Sequence, residues 1–140
     1  MPETEAKPDF VTHFREGIAH FNKTEFWEAH ESWEALWLVA GSDVEQFLQG
    51  LIQIAAAYHH VKRGTLRGAP RLFEAGLRRL APFPPNFCGV DRADVEAAAR
   101  RVGQALLPVV DQGTGKSACP TPAEFPKLIE LEIAPPSDDW

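Results

Sequence analysis

The chain has 140 residues, 44% of them hydrophobic and 24% charged, a balance that suits one globular domain with its own core. A formal net charge of −6 opposes a nucleic-acid surface, which needs dense positive charge. No apolar run reaches the roughly 18 residues of a membrane span. The opening MPETEAKPDF lacks the basic and apolar regions of a signal peptide. Cys88 and Cys119 stand far apart, with no CxxC spacing and no disulfide framework. The expectation is a cytoplasmic protein with reduced thiols.

Residues 1–8 are polar and read as a disordered N-terminus. A helical domain then spans 9–107. From Asp9 the positions Phe10, Phe14, Ile18 and Phe21 recur at helical spacing. Asn22 and Glu25 stand as an N-cap and N3 pair, so a second helix is expected from Asn22 to about Val39, broken at Gly41. Ser42 or Asp43 caps a third helix, through VEQFLQGLIQIAAAYHHVKR to Gly64. Pro70 suits the first turn of a fourth, PRLFEAGLRRLA. PFPPNFCGV, crowded with prolines, is not helical. Asp91 opens a fifth helix, with Asp94 complementing its dipole, and Pro108 ends it near Leu107. Residues 108–140 read as a loop, DQGTGKSACPTP, and an extended tail with at most one short strand. The fold class is all-α: a single-domain bundle of about five helices with an extended proline-rich C-terminal tail.

Two motifs invite a function and fail. GTGKS at 113–117 looks like the end of a phosphate-binding loop. Val110 stands where that loop needs its first glycine, and ACPTP cannot supply the helix that must follow. HESWE resembles the start of the zinc-protease signature HExxH, but Glu34 replaces the second histidine. A metal held by His30 and Glu34 would need further ligands from elsewhere. A basic stretch, Lys62, Arg63, Arg67 and Arg71, reads first as a solvated helix end and second as a contact for an anion.

The segment FNKTEFWEAHESWEALW carries the sharper signal. At about 100° per residue with Phe26 at zero, Trp33 and Trp37 fall close to Phe26, and Trp27 and Leu38 form a second apolar flank. His30 and Glu34 lie between the two, with Glu31 at the edge. A carboxylate buried there without partners costs several kcal/mol, so Glu34 needs a donor, a cation or a metal. The third helix offers a complement. Phe47, Leu51, Ile54, Tyr58 and Val61 make its apolar stripe, while Gln49, Gln53 and His60 share another face. Uncharged polar residues in register point to a partly buried pocket facing His30 and Glu34. His59 falls in the apolar arc and reads as a core histidine.

These residues resemble a widespread bacterial and archaeal family of small helical proteins, domain of unknown function 309. The pattern is carried by Phe21, Asn22, His30, Glu31, Glu34, Trp37, Leu51, Ile52, Gln53, His60, Gly64, Gly68 and Ala69. The resemblance implies an all-helical fold and supplies no catalytic residue. Two readings follow. One is a non-catalytic ligand- or protein-binding module whose pocket holds His30, Glu31, Glu34, Gln49, Gln53 and His60 beside Trp27 and Trp37. The other is a hydrolase using a divalent metal on His30, Glu34 and His60, with Glu31 as base. Neither nucleic acid nor a membrane is expected as a partner.

Overall fold

The computed structural model describes residues 8–111 and 133. Five α-helices follow in order: α1 Phe10–Asn22, α2 Phe26–Trp37, α3 Ser42–Arg63, α4 Ala69–Leu80 and α5 Arg92–Asp111. Short 3-10 turns at Leu66–Gly68 and Phe87–Gly89 lead into α4 and α5. The fold is all-α, with no strand among the described residues. The expected loop and tail beyond Asp111, and the expected N-terminal disorder before Pro8, lie outside them. Ile133 is the exception, with its side chain buried in the core.

Local chemistry sets most of the boundaries. Asp9 caps α1, accepting from the Thr12 amide at 2.9 Å, as an N-cap aspartate does. Gly64 closes α3 with a φ of 81°, a left-handed conformation that glycine adopts without steric cost. Pro70 sits in the first turn of α4. The Asp91 carboxylate accepts from the Asp94 amide at 3.1 Å at the start of α5.

Three boundaries differ from expectation. The N-cap of α3 is Gly41, with no side-chain cap, and Ser42 and Asp43 lie inside the helix. Asn22 is the last residue of α1 rather than the cap of α2. The Phe21 ring must stay on the helical stripe of α1 to reach Phe26 at 4.9 Å and Tyr58 at 5.5 Å. The reversal is therefore made later, at Thr24, with a φ of 61°. Glu25 is left as the residue before α2 with no side-chain cap, and its carboxylate meets His20 Nδ1 at 2.7 Å instead. Similarly, α5 runs through Pro108 to Asp111 rather than stopping near Leu107. The cost is the one amide donor that the Gln104 carbonyl would have used, while the φ that proline fixes, about −65°, is itself helical.

Helices adjacent in sequence are adjacent in space, α1 on α2, α2 on α3, α3 on α4 and α4 on α5. The α3 helix lies between α2 and α4 and is buried on most of its circumference, from Val44 to Val61. Trp33 of α2 is fully buried, and its indole N–H donates to the Phe14 carbonyl at 3.2 Å. Gly17 of α1 makes that possible, because a Cβ there would come within 2.1 Å of the indole. Gly50 and Gly76 do the same for α3 and α4, where a Cβ on Gly76 would meet the Gly50 carbonyl at 2.8 Å.

Candidate functional site

On α2 the buried residues are Phe26, Ala29, Trp33 and Leu36. Their arc is turned from the one expected, toward Ala29 and Leu36 and away from Trp27. The second apolar flank is consequently on the outside. Trp27 is 46% exposed and Leu38 70% exposed. A helix held by α1 and α3 buries mainly the arc that faces those two neighbours, which are its principal contacts among the described residues.

His30 and Glu34 are accordingly half-buried, and Glu31 is exposed. Among the described residues no polar side chain is fully buried. The expected buried His/Glu/Gln pocket does not form there. No hydrogen bond joins His30 to Glu34; the His30 Nδ1 atom is buried without a hydrogen-bond partner. Its ring lies on Trp27 instead, with centroids 4.6 Å apart and planes at 17°. Trp37 is partly buried, with its indole nitrogen also unpartnered.

The polar stripe of α3 goes elsewhere. Gln53 accepts from Arg79 Nε of α4 at 3.2 Å, and the same guanidinium bonds Gln46. Gln49 is half-buried. His60 lies at the α3–α4 corner, with Nδ1 2.9 Å from the Thr65 hydroxyl. The residue that α3 turns toward α2 is His59, whose ring lies 5.3 Å from Trp27. Neighbouring helical positions are about 100° apart, so a modest error in placing the buried arc exchanges His59 for His60. His30, Glu34 and His60 are thus not gathered as a ligand set. Among the described residues no three His, Cys, Asp or Glu side chains are grouped to hold a metal.

What the geometry does assemble is an aromatic ridge beside a cleft. Trp27 sits between the rings of His30 and His59. A cleft of about 650 Å³ adjoins it, bounded by Glu25 and Glu28 on one wall and by His59, Lys62 and Arg63 on the other. Lys62 donates to the Thr24 carbonyl at 2.7 Å, tying the end of α3 to the α1–α2 corner. Burial holds the His59 imidazole below its ordinary pKa, and the charges of Arg63 and His60 add to this while Glu28 opposes it. The hydrogen bond from His20 holds the Glu25 carboxyl below its usual range. Cys88, its thiol pushed up to about 12 by burial, offers no thiolate at neutral pH. His59, expected in the core, is half-buried beside Trp27, and both that place and the exposure of Trp27 escaped the sequence reading. The spacing of His59, Lys62 and Arg63 at i, i+3 and i+4 was the available signal, since those positions share a helical face.

Residues 14–72 match the family model described as Domain of unknown function (DUF309). An uncharacterised protein of Aquifex aeolicus (strain VF5) is 29% identical over 83 residues, which are 59% of this chain and 25% of that protein. The chain thus spans about a quarter of the length of the relative it matches. No helix among the described residues is long and apolar enough to cross a membrane. From Phe14 in α1 to Leu72 in α4, the chain is similar to the family of domain of unknown function 309.

Proposed function

We propose that this domain is a non-catalytic, cytoplasmic binding module that meets a protein partner through the outward face of α2. The observation that carries the reading is Trp27, 46% exposed yet held in place by His30 at 4.6 Å. A large aromatic ring that is ordered before binding gives contact area at little further entropic cost, and tryptophan is enriched among energetically dominant interface residues. Leu38, at 70% exposure, continues the same face, and Glu31 lies between them. The Aquifex relative, of which the matched segment is 25%, supports a modular role, because that segment is one part of a longer chain.

The test is photo-crosslinking in cells, with a reactive amino acid at position 27 and, as control, at exposed Glu16 of α1. The reading expects a discrete adduct from position 27 alone, lost when Leu38→Ser is added. Equal adduct patterns from both positions would overturn it.

A further inference from the structure

The side of α2 turned away from α1 and α3 carries one narrow stripe. Trp27, Glu31, Glu34 and Leu38 follow at i, i+4, i+7 and i+11, and at about 100° per residue they fall within about 60° of one another. Leu38, the C-cap, keeps helical backbone angles, and the buried Phe26, Ala29, Trp33 and Leu36 lie on the opposite side. Trp27, Glu31 and Leu38 are exposed and Glu34 is half-buried, so all four reach the surface. The stripe has apolar ends and an acidic middle. Trp27 and Leu38 stand about 16 Å apart along the axis, at the helical rise per residue. The helix holds three glutamates and no lysine or arginine. Neither Glu31 nor Glu34 has an ion pair among the described residues.

Resting on the reading of α2 as the binding face, we propose that its occupant is a basic amphipathic helix of a partner protein. That helix carries two apolar anchors about three turns apart, with lysine or arginine between them. One helix is ordinarily covered by another whose residues recur at the same spacing. The anchors meet Trp27 and Leu38, and the cations meet Glu31 and Glu34, which makes the two surfaces complementary in charge. Lys62 and Arg63 of α3 line the cleft beside Trp27, so the partner's positive charge belongs at the middle of the stripe rather than at that end. A second copy of this chain is a poor occupant. Two α2 helices paired about a twofold axis, each Trp27 against Leu38 of the other copy, would set Glu31 against Glu34. Like charges so placed repel.

Fluorescence anisotropy of a labelled peptide titrated with the full chain tests this. The probe is a short alanine-based helix with two leucines at the spacing of Trp27 and Leu38 and lysines between them on the same face. Its control has glutamates in place of the lysines. The lysine probe should bind at least about tenfold more tightly than the control, and added salt should weaken it. Glu31→Lys with Glu34→Lys should reverse that preference, and Glu31→Lys alone, at an exposed position, should narrow it. Glu16→Lys with Glu74→Lys, the same change of net charge at exposed sites on α1 and α4, should leave it intact. Trp27→Ala should weaken the lysine probe about tenfold. No binding of the lysine probe, equal affinity for both peptides, or a preference lost equally in the Glu16 and Glu74 variant would overturn the proposal. Crosslinking separates its failure from that of the α2 reading. A discrete adduct at position 27 that survives Glu31→Lys with Glu34→Lys would keep α2 as the binding face and rule out the basic helix, whereas no adduct would remove both.

Discussion

His30 and Glu34 sit one turn apart on α2, half-buried and not bonded to each other. Glu34 retains contact with water, so removing its charge leaves no buried partner stranded. Glu34→Gln should therefore change stability by less than about 0.5 kcal/mol, measured by urea unfolding. Added zinc should raise the melting temperature of neither protein. A zinc-dependent rise in the wild type that disappears in the variant would restore the metal reading. His59 gives a pH dependence with a definite sign. Its folded-state pKa is below the ordinary 6.5, so on acidification the unfolded chain takes up the proton first. The folded state is at full strength above about pH 6.5 and loses stability as pH falls through the lower folded value. His59→Gln should flatten that loss. Urea unfolding of both proteins at pH 7.5 and 5.5 is the check, and an unchanged difference would show that His59 is not its source.

Among the elements, the helix pairs differ in how closely they approach, and glycines mark where. Alanine is the better helix former by about 1 kcal/mol, so propensity alone favours Gly→Ala everywhere in these helices. At Gly17 the new Cβ would meet the Trp33 indole at 2.1 Å, and at Gly76 the Gly50 carbonyl at 2.8 Å. Overpacking of that kind typically costs about 1–3 kcal/mol, more than propensity returns. Gly17→Ala and Gly76→Ala should each destabilise by about 2 kcal/mol or more. Gly103→Ala has Phe73 no nearer than 3.8 Å and should stabilise by about 0.5–1 kcal/mol. Denaturation midpoints of the three variants decide the order. A stabilised Gly17→Ala would mean that α1 can shift away from Trp33.

Taken as a whole, the molecule depends on helices that the family segment does not fully include. The face of α3 that meets α4 carries Gly50, Ile54 and Tyr58, and Tyr58 packs edge-on against Phe73 at 4.8 Å. A chain ending at residue 72 would leave that face in water. It should unfold without a cooperative transition and bind a hydrophobic dye, whereas the full chain should do neither. Sequence by itself determined the helices, because apolar spacing, Asp9, Gly64, Pro70 and Asp91 act within a turn or two of chain. Tertiary structure alone decided where Phe21 required α1 to end, which arc of α2 has a neighbour, and whether His59 or His60 meets it. The reason is physical: hydrophobic periodicity defines a face to within a residue's rotation of about 100°, whereas a site needs side chains placed to within the length of a hydrogen bond. That last precision comes from contacts such as Trp33 against Gly17, made between positions far apart in the chain.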